Sequence, residues 1–347
     1  MLEDAMGRRF YYLRLSITDV CNFRCTYCLP DGYQGKPDQS FLTLPEIRQT
    51  LTAFAALGTE KVRITGGEPG LRRDLPEIIS AAAQTPGIRA VALTTNGYRL
   101  AERIARWRQA GLNQLNVSID SLDPAEFHSI TGHNRLPEIL RGLDAALAEG
   151  VSVKVNAVLM RGLPDQLASF LDWLKTTPVT LRFIEVMETG DHPAFFREHH
   201  ISGQSVKQQL LAAGWQALQR RRDAGPAEEF WHPDYQGRIG LIMPYSQDFC
   251  SSCNRLRISS TGKLHLCLFS DGGLDVRPWM QPNVATTELQ DKLTALLRHK
   301  AHGMRFKPFG NVPQCKRRRH FHIERDAFSQ TQRLQALHII ICDMPAV

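Results

Sequence analysis

No stretch of the 347 residues approaches the eighteen or so uninterrupted apolar residues that a membrane helix needs. Met1 to Arg9 carries acids and lacks an apolar core, so it does not read as a signal peptide. Internal repeats and low-complexity linkers are missing too. These absences predict a cytoplasmic globular chain with no membrane partner. With 43% hydrophobic residues it can bury a large core, and its length suits two domains or one barrel with an appendage. The chain also lacks an evenly spread positive charge. Of the formal net +7, the residues from His302 onward hold eight Lys/Arg against three Asp/Glu, a net +5, which leaves only +2 for the body. A nearly neutral body argues against nucleic acid as a partner.

Cysteine is what the chain does have, eight in all, and a reducing compartment turns them from a disulfide framework towards metal or redox chemistry. Two sit beyond residue 302, Cys315 and Cys342. The other six form two triads.

Between Tyr11 and Val186 short apolar strands alternate with helical patterns. Strands are predicted at Leu13–Thr18, Lys61–Thr65, Arg89–Thr95, Leu115–Asp120, Val151–Val158 and Thr180–Val186. A capping box at Thr43 and Glu46 starts a helix through Ile47, Leu51 and Phe54 that stops at Gly58. Six such units in a row mean a parallel sheet. Each strand sets apolar residues against polar or basic ones: Leu13 and Leu15 oppose Arg14 and Ser16, Val62 and Ile64 oppose Arg63 and Thr65, and Val153 and Val155 oppose Lys154 and Asn156. A flat parallel sheet covered on both faces should read as continuous apolar runs. A sheet curved into a partial, incomplete TIM-type βα barrel of α/β class explains the alternation, with helices outside and a polar lumen for a ligand. The alternative is a sheet with one face in water. Past Glu188 the pattern changes to a His-containing loop (His192, His199, His200), a helix over Ser202–Ala213 and short strands near Trp215 and Arg238–Met243. The expected division is therefore a barrel over 1–195, a smaller C-terminal domain over 196–302 and a divergent basic tail over 303–347.

Residues 21–28 place Cys21, Cys25 and Cys28 in a C-x3-C-x2-C loop after the first strand. Three thiolates on one tight loop can hold three irons of a four-iron cube and leave the fourth open. Zinc would want a fourth ligand, and the next thirty residues offer neither Cys nor His. The second triad, Cys250-x2-Cys253-x13-Cys267, also lacks an obvious fourth ligand. Spacing alone leaves a zinc knuckle completed by His265 equally open. Arg255 and Arg257 lie between its cysteines on one side of a strand, where planar forks suit phosphate oxygens, although such a pair also fits a solvated face.

The first triad, with Tyr27 and the Thr65-Gly66-Gly67-Glu68-Pro69 turn, resembles the radical S-adenosylmethionine (SAM) signature. Glycines in that turn let backbone approach a ligand closely. The segment Cys253 to Cys267 resembles the C-terminal cluster segment of the GTP 3′,8-cyclases of molybdenum-cofactor biosynthesis, and the likeness runs from about Phe10 to about residue 302. It implies two 4Fe-4S clusters on the six cysteines, a radical SAM barrel with a smaller C-terminal cluster-binding domain, and SAM contacts at Tyr27, Gly67, Ser118 and Met187. It implies GTP held by Arg14, Arg63, Thr94, Lys154, Arg255, Leu256 and Arg257, with Arg182 a weaker phosphate candidate. Among these, Arg14, Arg255 and Arg257 would serve catalysis. The implied reaction is abstraction of the ribose C3′ hydrogen by a 5′-deoxyadenosyl radical, attack on guanine C8, and reduction. The implied partners are a second copy of the chain and a downstream cyclic pyranopterin monophosphate synthase, with the electron donor left open. The family's terminal Gly-Gly is replaced here by Asp343-Met344-Pro345-Ala346-Val347, which points to a shifted reading frame or divergent tail and to impaired cyclisation. Rival readings are a radical SAM peptide-modifying enzyme and a zinc-dependent nucleic-acid-binding protein.

Overall fold

All six predicted strand-and-helix units are present in the computed structural model. It describes residues 1–300 apart from 36–39, 162–165, 189–192, 220–224, 247–248, 252, 269–272 and 299. The tail, with Cys315, Cys342 and the run Lys316 to Arg319, lies outside the described residues, as does His192. The units are β1 (Tyr12–Ser16) with α1 (Leu44–Ala56), β2 (Lys61–Thr65) with α2 (Leu75–Gln84), and β3 (Ala90–Thr95) with α3 (Leu100–Gln109). There follow β4 (Gln114–Ser118) with α4 (Pro124–Thr131) and α5 (Leu136–Ala148), then β5 (Ser152–Leu159) with α6 (Gln166–Leu174). The sixth is β6 (Thr180–Glu185) with α7 (Pro193–His199) and α8 (Gly203–Ala212). Beyond these come β7 (Gln216–Ala217), β8 (Glu228–Trp231), β9 (Arg238–Ile242), β10 (Arg255–Ile258), β11 (Lys263–His265), β12 (Leu274–Asp275) and α9 (Thr286–Leu297).

The twelve strands join one sheet in the order β12-β11-β10-β1-β2-β3-β4-β5-β6-β9-β8-β7. Strands β10 through β9 in that order run parallel, and antiparallel hairpins finish both ends. The ends do not pair, so the barrel is open. The C-terminal residues therefore extend both edges of the sheet, with β9 beside β6 and β10 beside β1.

Side-chain alternation explains the layers. Leu13, Leu15, Val62 and Ile64 are buried on the helix side, in a core shared with Ile47, Leu51 and Phe54 of α1. Each such side chain contributes about 1.5–3 kcal/mol by leaving water. Arg14, Arg63, Asn116 and Arg182 point the other way and are equally buried, which excludes a sheet with one face in water. The predicted capping box holds α1: Glu46 N–H donates to Thr43 Oγ1 and Thr43 N–H to Glu46 Oε2 (2.8 Å). Arg277 and Gln281 of the C-terminal part also donate to Glu46, so one carboxylate caps the helix and seams the two halves.

Three differences from expectation bear on the site. β1 stops at Ser16 because Thr18 turns away to give its carbonyl to Gly67 N–H (2.8 Å). β4 stops at Ser118, freeing Asp120 to accept from Val158 N–H (2.9 Å). The expected His-containing loop is instead α7 over most of its length: Phe196 packs into an apolar cluster with Tyr27 and Val158, leaving His199 and His200 at the helix end.

Candidate active site

Cys21, Cys25 and Cys28 occupy the loop after β1, over the C-terminal ends of the parallel strands, and none is in a disulfide. Neighbouring elements grip the loop. Arg24 and Thr26 donate their N–H groups to Thr131 and Ile130 carbonyls at the end of α4. His133 donates through Nε2 to the Asn22 carbonyl (2.8 Å) and stacks on Phe23 at 4.5 Å. The Tyr27 hydroxyl donates to Asp120 Oδ2 (2.6 Å). Burial raises Asp120 to about 6 and pushes the Tyr27 phenol well above its ordinary range, the nearby carboxylate adding to the second shift.

The turn after β2 is glycine-rich because it packs closely on neighbouring backbone, while Gly67 also lines the cavity beside the cysteines. A Cβ on Gly67 would lie 2.1 Å from the Val20 carbonyl oxygen, and one on Gly66 2.4 Å from that of Thr18. The two glycines let this turn lie directly against the Thr18–Val20 segment that leads from β1 into the cysteine loop. Glu68 then locks the turn to the next one. Its carboxylate accepts from Gly70 N–H (2.7 Å), Thr95 Oγ1 (2.8 Å) and Asn96 N–H (2.6 Å), while Asn96 Nδ2 donates to Asn22 Oδ1 (3.0 Å). Burial raises Glu68 to about 6 against the pull of these donors.

The three cysteines, Tyr27, Gly67, Thr94, Ser118 and Asn156 line one cavity of about 640 Å³, its mouth included. Thr94 Oγ1 and Asn156 Oδ1 are buried there with no hydrogen-bond partner among the described residues. Buried polar atoms without partners are costly, so such a wall expects a polar ligand. Of the four expected SAM contacts, Met187 alone is absent from the lining; it packs with Ile184, Ala227 and Ile242.

Farther along the lumen the register assembles the basic residues. Arg14 is paired with Arg63 on one side and Arg257 on the other. Arg182 donates to Asn116 Oδ1 (2.8 Å), and Asn116 stands opposite Lys154. Burial, helped by Arg63, pushes Arg182 well below its ordinary range, and burial with Arg182 lowers Lys154 to about 8. Leu256 alternates with Arg255 and Arg257, so its side chain belongs to the outer apolar core and only its main chain is left for the lumen. So much buried positive charge is costly unless an anion offsets it.

Cys250, Cys253 and Cys267 are partly exposed beside β10. Arg8 donates to the Cys250 carbonyl (2.9 Å) while paired with Asp4 (2.7 Å), which ties this triad to the N-terminus. Burial alone would raise Cys253, but Arg255, Lys300 and Arg257 outweigh it and bring the thiol down to about 6. His265 is held neutral, at about 4, by burial and Arg257. Among the described residues, no three Cys, His, Asp or Glu side chains converge as a single metal ion would need.

A radical SAM superfamily profile matches residues 15–174, and a Molybdenum Cofactor Synthesis C profile matches 179–306. The GTP 3′,8-cyclase of Aeromonas hydrophila is 58% identical over 307 residues, covering 86% of this chain and 90% of that protein. That of Photorhabdus laumondii is 56% identical over 301 residues, covering 86% and 92%. The chain belongs to the GTP 3′,8-cyclase family. Solved structures share the fold at low identity. Streptococcus suis SuiB bound to S-adenosylmethionine matches with TM-score 0.61 and 13% identity over 84% of this chain and 68% of that one. The anSMEcpe structure with bound AdoMet matches at 0.54 and 13% over 82% of each. Family membership implies a 4Fe-4S cluster and SAM, and no helix among the described residues is long and apolar enough to cross a membrane.

Several residues of this family member's site escaped sequence reasoning. Asp120 and Asn156 were visible as polar strand-face residues, but nothing local said that one would hold Tyr27 and the other face the cavity. Glu68 and Asn22 sit inside recognised segments without a separate signal. Glu229, which meets Lys154 across the lumen at 2.9 Å, had none.

Proposed function

We propose that this chain converts GTP to (8S)-3′,8-cyclo-7,8-dihydroguanosine 5′-triphosphate, using SAM and two 4Fe-4S clusters. The observation that carries the reading is one open barrel with a three-thiol loop at its strand ends and a buried layer of guanidiniums farther along the lumen. Cys21, Cys25 and Cys28 would hold the first cluster, and the unpartnered Thr94 and Asn156 oxygens fit a polar cofactor beside it. When bound, the cluster and SAM supply the radical that takes the C3′ hydrogen of the ribose. This chain's residues bind and orient: Tyr27, Gly67, Ser118 and, from just behind the wall, Met187 on the SAM side, and Arg63, Thr94, Lys154 and the Leu256 main chain on the nucleotide side. Arg14, Arg255 and Arg257 neutralise the triphosphate and fix the ribose, which supplies the orientation the reaction needs.

A second cluster on Cys250, Cys253 and Cys267 is supported by three thiols gathered beside β10, with Arg255, Lys300 and Arg257 favouring the thiolate at Cys253, since a cube takes each thiolate on a different iron. The same reading places the chain in the cytoplasm, as one of two copies in a dimer, upstream of a cyclic pyranopterin monophosphate synthase. The test is anaerobic reconstitution followed by reaction with SAM, dithionite and GTP, scoring 5′-deoxyadenosine and cyclised GTP separately. Both products are expected if the tail is dispensable. 5′-Deoxyadenosine alone restricts the defect to cyclisation, and neither product from protein with about eight irons per chain overturns the reading.

A further inference from the structure

One carboxylate reaches into the basic layer. Glu229 on β8 is opposite Gly240 of β9, and Gly240 is opposite Arg182 of β6. A Cβ on Gly240 would lie 2.8 Å from Arg182 Cγ, so this position stays bare and the Arg182 stem crosses it. Over the same gap Glu229 Oε1 reaches Lys154 Nζ at 2.9 Å, with side chains only 23% and 21% exposed. Arg182 and Arg63 act on the same ammonium with like charge. A carboxylate here opposes an anionic ligand, and binding and orienting a triphosphate give it no task. It does have one in the nucleotide-free protein, where a buried ammonium among guanidiniums needs a counter-charge.

We propose that Glu229 is the resident counter-ion of the nucleotide pocket, occupying Lys154 until a phosphate of the incoming nucleotide takes its place. The proposal rests on the reading of Lys154 as a nucleotide contact. Glu229 then sets affinity from the unliganded side: each binding event must break the pair and bring a polyanion near a carboxylate. Its effect is a weaker but exchangeable complex, while the empty lumen remains stable.

The experiment measures GTP binding to the reconstituted protein by equilibrium dialysis at pH 6.5, low enough to favour protonated Lys154. Glu229→Gln is expected to tighten GTP about tenfold, the effect of removing one like charge at intermediate dielectric. Lys154→Met is expected to weaken it, and the gain from Glu229→Gln is expected to shrink in the double variant, because the two residues act through one pair. Should Glu229→Gln fold poorly, Glu229→Met gives the same reading. Weakened or unchanged GTP binding in a folded Glu229 variant, with Lys154→Met still deleterious, overturns the counter-ion role alone. No effect of Lys154→Met removes the nucleotide reading of Lys154 and the proposal with it.

Discussion

The two cysteine triads are held in opposite ways. Around Cys21, Cys25 and Cys28 the surroundings are hydrogen bonds and rings: Asn22 with Asn96 and His133, Tyr27 with Asp120, and Glu68 joining two turns. Around Cys250, Cys253 and Cys267 they are cations: Arg8, Arg255, Arg257 and Lys300. The first arrangement limits where a loop can be, and the second limits which charge state it prefers. A site that must aim one reacting atom gains from the former, and a site that must accept a highly charged substrate gains from the latter.

The sharpest way to break this comparison is to remove one thiol from each side. Cys25→Ser is expected to abolish both products, a loss of about a thousandfold or more. Cys253→Ser should retain 5′-deoxyadenosine formation and lose cyclised GTP. Equal loss of both products in the two variants would erase the division of labour. Next in size is the gripping of the first loop. Asp120→Ala strands the Tyr27 hydroxyl and the Val158 N–H and should cost about 2–4 kcal/mol in denaturant unfolding. Arg8→Leu, on the other side, gives up the Cys250 carbonyl and leaves the buried Asp4 carboxylate without its guanidinium, and should cost a similar amount, about 2–4 kcal/mol. The smallest effect concerns salt. Raising ionic strength from about 0.05 to 0.5 M should weaken GTP binding several-fold and leave SAM binding nearly unchanged.

What was legible in the chain follows the same line. Alternation along Leu13 to Ser16 and Val62 to Thr65 reports which face a strand buries, and Thr43 with Glu46 announces a helix start; both signals are local, and the structure bears both out. Register between distant segments has no local signal. Nothing near Arg255 says that it will stand opposite Tyr12, nor does anything near Glu229 say that Gly240 will let it reach Lys154. Gly66 and Gly67 had a second reason with no local signal, since a Cβ on either would strike the backbone of Thr18–Val20. The two cysteine triads stand out in the sequence because thiols are scarce and their spacing is chemistry. Asp120 and Glu229 were not, because carboxylates are common and only their neighbours make them unusual.

The pairing of β10 with β1 has a consequence for the order of events during synthesis. Arg8 must wait 242 residues for the Cys250 carbonyl it binds. Until β10 leaves the ribosome, the first strand to be made keeps one open edge, with Arg14 beside it and no Arg257 to follow. An unpaired parallel edge carrying Leu13 and Leu15 is an invitation to wrong partners, and closure over so long a loop is slow. Nascent chains stalled short of Ile258 should therefore be the aggregation-prone ones, and the last guanidiniums of the basic layer to arrive are also the ones that seal the first strand.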